Sequence, residues 1–123
     1  MKLVDTSCWI HALRRKGDGD IRTRVQSLLA IGQAAWCDAV RLELWNGAAN
    51  DWDRQLLVNL QATVPILPIK EEVWQLACTF AHRARTNGLN VPATDLLIFA
   101  CARHHGVELE HNDRHFPLLG QMK

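Results

Sequence analysis

The sequence contains no C-x-x-C pair and no dense cysteine framework; its four cysteines, Cys8, Cys37, Cys78 and Cys101, stand far apart. That spacing excludes disulfide scaffolds and paired-cysteine zinc motifs, and it reads as small buried apolar residues in a reducing compartment, with no disulfide. No apolar run approaches the roughly 18 residues of a membrane span, and the opening MKLVDTS is too short and too polar for a signal peptide. A cytoplasmic protein without membrane association is therefore expected. Charge of one sign is also lacking, since the formal net charge is +1, and the global field points to no partner. Neither G-x-x-x-x-G-K-[ST] nor G-x-G-x-x-G occurs, so nucleotide-binding folds of those kinds lack their motif. No nucleophilic triad, internal repeat or low-complexity segment stands out.

What is there is a chain of 123 residues, 48% hydrophobic and 22% charged, long enough to close a core as a single domain spanning 1–123. Lys2 to Val4 reads as a strand, and Asp5, Thr6 and Ser7 favour the cap of a helix running from Cys8 to Leu13. The stretch RRKGDGD breaks that helix. Ile21, Val25, Leu28 and Leu29 have helical spacing over Ile21 to Ile31, and Gly32 stops the helix. Ala34 to Cys37 is a second short strand, with Asp38 as the cap of a helix through Val40, Leu42, Leu44 and Trp45 to Ala49. WDRQLLVNLQ reads as helical. Val64 to Leu67 is a short edge strand, the place in a sheet where Pro65 is tolerated. Val73, Leu76, Ala77, Phe80 and Ala84 give Glu71 to Arg85 one apolar face. VPATDLLIFACARHHG supplies a helix from about Thr94 to His104, closed by Gly106, and Val107 to Glu110 is a last strand. Strands alternating with helices predict an α/β fold, with a parallel sheet covered on both faces.

In such a fold, ligands bind outside the carboxyl ends of the strands. Asp5 follows the first strand, Asp95 opens a late helix, Asp113 lies three residues beyond the last strand, and Glu43 lies about a turn and a half beyond Asp38. Each has a plain structural explanation: Asp5 and Asp95 as helix caps, Glu43 as a solvated helix residue, Asp113 as a turn residue. Gathered at one edge, four carboxylates repel one another and raise each other's pKa unless a cation neutralises them. A hard divalent ion with oxygen ligands, Mg²⁺ or Mn²⁺, suits such a set and can promote phosphodiester hydrolysis.

LVDTSCWI, LELWNG, VPATDLLIFACARHHG and HNDRHF stand in an order and at a spacing that resemble the PIN-domain family, specifically the VapC-like toxins of bacterial toxin–antitoxin pairs, over essentially the whole chain. The resemblance implies a three-layer α/β/α sandwich around a central, mostly parallel sheet. It implies an endoribonuclease in which Asp5, Glu43, Asp95 and Asp113 hold Mg²⁺ or Mn²⁺, with Asp95 also capping its helix. Thr6, Ser7, His111 and Asn112 are then candidate contacts to phosphate or water, and Arg14, Arg15 and Lys16 candidate contacts to the RNA backbone. It also implies a homodimer and a cognate antitoxin whose C-terminal segment crosses the groove and blocks the acidic site. Two departures stand out. His111 occupies a place where relatives usually carry Thr or Ser, and His115 one where some carry a further Asp.

Three rival readings differ in class. A haloacid-dehalogenase-type phosphatase needs a second Asp where this chain has Ser7. A zinc site from Cys101, His104, His111 and His115 has suitable spacing only between positions 111 and 115, and it lacks a paired cysteine motif. A PIN-like RNA-binding or protein-interaction module with weak catalysis remains the alternative, and the filled acidic set favours the enzyme. Of the five tryptophans, Trp9 and Trp36 are assigned to the core. Trp45 and Trp52 flank a helix junction, where packing is favoured over a groove for a partner helix.

Overall fold

The computed structural model describes residues 1–122. Strand β1 (Lys2–Val4) lies at the centre of a parallel sheet, between β2 (Ala34–Ala35) and β3 (Glu108–Glu110). Leu3 stands opposite Ala35 on one side and Leu109 on the other, and Val4 opposite Glu110. Leu3 and Val4 are wholly buried, as a strand covered on both faces requires.

The connection from β1 to β2 runs through α1 (Thr6–Leu13) and α2 (Gly19–Ala30). The return to β3 runs through α3 (Asp38–Asn46), α4 (Asp51–Thr63), α5 (Glu71–Thr86) and α6 (Ala93–His104), and α7 (His115–Gly120) follows β3. Parallel crossovers are right-handed, and strand order reverses at β1; α1 and α2 therefore cover one face and the α5–α6 pair the other. That gives the α/β sandwich expected, with all three strands parallel.

Local sequence explains the main elements. Asp18 accepts hydrogen bonds from the N–H groups of Asp20 and Ile21 and so starts α2, while Gly32 at φ +68° lets the chain leave it. Val73, Ala77, Phe80 and Ala84 form the buried stripe of α5. Every residue of α6 from Leu96 to Ala102 is buried, so this helix is the central rod of the core. Phe80 meets Phe99 edge-on, with ring centroids 5.1 Å apart.

Several expectations are corrected. The segment Val64 to Leu67 forms no strand but one parallel bridge, Trp36 to Ile66. Pro65 has no N–H to extend a ladder, and pairing is confined to Trp36 N–H donating to the Pro65 carbonyl and Leu67 N–H to that of Trp36. Strand β2 is correspondingly short, because Trp36 turns its backbone toward that segment. Asp38 does not cap α3; Cys37 takes that place without a side-chain bond, and Asp38 pairs instead with Arg41 at 2.8 Å. The helix ends at Asn46, with Gly47 as its C-cap, rather than at Ala49. Cys78 is exposed, whereas Cys8, Cys37 and Cys101 are buried. Trp9 and Trp36 are in the core, but Trp52 is 73% exposed. Trp45 is half-buried, and its indole N–H donates to Gln61 Oε1 at 2.7 Å.

Candidate metal centre

The chain leaves β1 at Asp5, which caps α1 by accepting a hydrogen bond from Cys8 N–H at 3.0 Å. Ser7 Oγ donates to the same carboxylate, at 2.9 Å to Oδ1 and 3.2 Å to Oδ2. Asp5 is only 5% exposed, and its backbone N–H bonds to the Glu110 carbonyl, so strand pairing and helix start together fix its position. Burial first, and then the charge of Asp5, push the neighbouring Cys8 thiol up to about 12, so it stays protonated. Thr6 Oγ1 donates to Glu43 Oε1 at 3.0 Å, tying α1 to α3.

Asp95 occupies the first turn of α6, but Pro92 is the N-cap and no side chain caps the helix. The expected capping role is therefore corrected: the carboxylate turns away from the backbone and toward other acids. Burial raises its pKa, the charge of Asp113 adds to this, and Asp5 adds further, while His115 opposes. Glu43 is also raised, by burial first; Thr6 opposes, and the charges of Asp95 and Asp5 add. Asp95 thus feels the charges of the other three acids, although the close-packed group of potential ligands contains Asp95, Asp113 and His115 and not Asp5 or Glu43. Among the described residues, no lysine or arginine forms an ion pair with any of them.

Asp113 is held by a local turn. Its Oδ1 accepts the backbone N–H of His115 at 2.8 Å, while its own N–H points to His111 Nδ1 at 3.4 Å. The His115 ring folds back, placing Nδ1 at 3.0 Å from Asp113 Oδ1 and 3.3 Å from Asp95 Oδ2. Ligand atoms of Asp95, Asp113 and His115 all lie within 4.8 Å of one another. His115 Nδ1 is buried yet makes no hydrogen bond, because the close contacts lack the required alignment. Acids without a lysine or arginine partner beside an imidazole nitrogen that makes no hydrogen bond form a donor set that fits a divalent cation.

The remaining candidates are placed as follows. The hydroxyl protons of Ser7 and Thr6 are committed to Asp5 and Glu43, so both side chains position acids. His111 is half-buried with its ring 5.2 Å from that of Phe116, and Asn112 is exposed. Arg14, Arg15 and Lys16 are exposed beyond α1, where the Arg22 guanidinium binds the carbonyls of Arg14, Arg15 and Gly17. Of these three, Arg14 shares with Glu43 the border of an apolar groove between α1, α3 and α4. The rival zinc set is not assembled: the Cys101 thiol faces the Leu67 carbonyl, His104 packs against His105, and among the described residues only His115 joins a metal-capable group.

Sequence reasoning missed two features of the site. One is the Thr6–Glu43 link; the other is the approach of His115, noted from sequence only as a departure from a further Asp and as part of the rival zinc set, to Asp95 and Asp113. Thr6→Val keeps the side-chain shape and deletes the donor to Glu43. It should weaken divalent-ion binding about 10-fold, as read by calorimetric titration of the metal-free protein.

A family model described as the PIN domain matches residues 2–121. Ribonuclease VapC11 of Mycobacterium tuberculosis is 29% identical over 126 residues, covering 99% of this chain and 93% of the relative. Among solved structures, DNA-bound VapBC from Salmonella typhimurium aligns with a TM-score of 0.76 at 18% identity, covering 100% of this chain and 96% of that one. Mycobacterium tuberculosis VapC20, a sarcin-ricin loop cleaving toxin, aligns with a TM-score of 0.72 at 20% identity, covering 100% and 97%. At those identities the structural matches establish the fold.

Proposed function

We propose, because this chain belongs to the PIN-domain family, that it is a metal-dependent endoribonuclease and the toxin of a VapBC-type toxin–antitoxin pair. The observation that carries this reading is the set Asp5, Glu43, Asp95 and Asp113, coupled by mutual charge repulsion with no lysine or arginine paired to any of them among the described residues. Its similarity to proteins named VapC ribonucleases supports the substrate class. In this reading residues 1–123 form one PIN domain.

The four acids hold Mg²⁺ or Mn²⁺, which when bound supplies Lewis acidity toward a phosphodiester and an activated water. The residues around them keep that set in shape. Ser7 and the Cys8 N–H fix Asp5, Thr6 aims Glu43, and the turn through His115 N–H fixes Asp113. Arg14, Arg15 and Lys16 stand exposed beyond α1, Arg14 on the border of the groove that Glu43 also lines, and contact the RNA backbone. His111 and Asn112 face phosphate or water at the other side.

The cognate antitoxin lies across the groove lined by Ile10, Leu13, Leu44 and Leu57, where apolar anchors end beside Glu43. Leu42 and Trp74 are 70% and 51% exposed and border one apolar patch, the surface for a homodimer. Among the described residues no helix is long and apolar enough to cross a membrane, and in this reading an RNA substrate puts the work in the cytoplasm.

The test is cleavage of total cellular RNA by the purified protein in Mg²⁺, in Mn²⁺ and in EDTA. Discrete fragments are expected with either ion and none with EDTA. No cleavage by a folded protein under any of these conditions would leave the RNA-binding or interaction module as the better reading.

A further inference from the structure

We propose that His115 is a nitrogen ligand of this divalent-ion site and biases it toward Mn²⁺ over Mg²⁺; the proposal rests on the metal site of the preceding reading and adds a ligand of different chemistry. Its starting point is the buried Nδ1 atom, which no hydrogen bond satisfies. A buried polar atom left without a partner costs about 1–3 kcal/mol, so its place beside two carboxylates calls for an explanation.

A simple ion pair does not supply one. An imidazolium neutralising the acids would direct its N–H along a line to one oxygen, whereas Nδ1 stands 3.0 Å from Asp113 Oδ1 and 3.3 Å from Asp95 Oδ2 and is aligned with neither. Nδ1 instead stands at the spacing of a neighbouring ligand from each oxygen, and all three atoms lie within 4.8 Å of one another. In an octahedral shell with bonds near 2.1 Å, adjacent ligand atoms are about 3.0 Å apart. The backbone holds this arrangement, because the His115 N–H donates to the same Asp113 Oδ1 at 2.8 Å. Phe116 and Leu119, both 3% exposed, anchor the helix that His115 opens.

Ligand chemistry then sets the preference. Mg²⁺ binds oxygen and tolerates little else, whereas imidazole suits first-row transition ions. Replacing one oxygen by nitrogen in an otherwise carboxylate shell keeps the site hard enough for Mn²⁺ and makes it poorer for Mg²⁺. His111 does not share this role, since its Nδ1 faces the Asp113 N–H.

The experiment loads the full chain with Mn²⁺ and records pulsed electron paramagnetic resonance for ¹⁴N coupling, with calorimetric titrations of Mn²⁺ and Mg²⁺ into the parent, His115→Asp and His115→Ala proteins. A ¹⁴N modulation in the parent that disappears in both variants is expected, with the Mn²⁺-to-Mg²⁺ affinity ratio falling about 10-fold or more in His115→Asp. Bound Mn²⁺ without nitrogen coupling, no Mn²⁺ binding at millimolar concentration, or an unchanged ratio in His115→Asp would overturn the assignment. The parent spectrum needs no variant, so a misfolded substitution leaves the test intact. RNA cleavage measured in parallel separates the two readings. Cleavage without ¹⁴N coupling removes only the His115 ligand, and ¹⁴N coupling without cleavage keeps the ligand and removes the nuclease.

Discussion

Asp95→Asn is expected to lower RNA cleavage by about two or more orders of magnitude, while the metal-free variant melts at a higher temperature than the metal-free parent. The first effect follows from deleting a charge that interacts with Asp5, Glu43 and Asp113 together. The second follows from the sign of its shift. Burial, and then Asp113, raise the Asp95 pKa above its ordinary 3.8, so the folded metal-free protein favours the neutral carboxyl. Stability from such a group is fully present below the ordinary value and is lost as pH rises through the raised one. At neutral pH the charge is a burden that asparagine removes. The gain is modest, because the carboxylates are partly solvated. With EDTA, the parent's melting temperature should fall relative to the variant's as pH rises from about 4 toward neutrality. A divalent ion should then raise the melting point of the parent far more than that of the variant. Thermal melts in EDTA and in Mn²⁺, with cleavage assays beside them, check all four statements. A variant that cuts RNA like its parent, or that is less stable without metal, would remove Asp95 from the centre of the site.

Much of this was legible in the sequence for identifiable reasons. Asp5 could be placed because a strand of three residues ends there and a helix must start, which leaves its carboxylate little freedom. The apolar run from Leu96 to Ala102 marked a buried helix, and α5 declared its inner face through Val73, Ala77, Phe80 and Ala84. What failed was decided by side-chain direction or by distant partners. From sequence, a carboxylate three residues after Pro92 looks the same whether it turns back to cap α6 or away to face Asp113. Only the packing of α6 against the segment after β3 decides, and it turns Asp95 outward from the cap. The contact of His115 with the acids was hidden for a similar reason, because its ring reaches them only through the turn that Asp113 forms with its backbone. At Val64 to Leu67, β propensity was overridden by supply of hydrogen bonds: next to Pro65, Trp36 offers one N–H and one carbonyl, enough for a bridge and no more.

The other large effect is structural, and it concerns the two tryptophans behind the site. Trp9 and Trp36 are wholly buried with ring centroids 5.7 Å apart, and neither indole N–H has a partner. Their contribution therefore comes from ring volume and contact rather than from hydrogen bonding. Trp36→Ala should cost about 3–5 kcal/mol, a large share of the roughly 5–15 kcal/mol that holds a domain folded. Trp36→Phe keeps most of the ring and deletes a buried donor that nothing accepts, so its cost should be about 1–2 kcal/mol. Urea unfolding of the three proteins without metal reads the difference as separated midpoints. The ordering also bears on catalysis, because Trp9 sits on the first turns of α1, the helix that Asp5 caps, and Trp36 leads from β2 into α3, which carries Glu43. A void at position 36 should loosen both supports, so the fraction of Trp36→Ala that stays folded should bind Mn²⁺ more weakly than Trp36→Phe. If Phe proves as damaging as Ala, the indole N–H has a buried acceptor such as an ordered water, and the pair acts as a polar fixture as well as a filler of space.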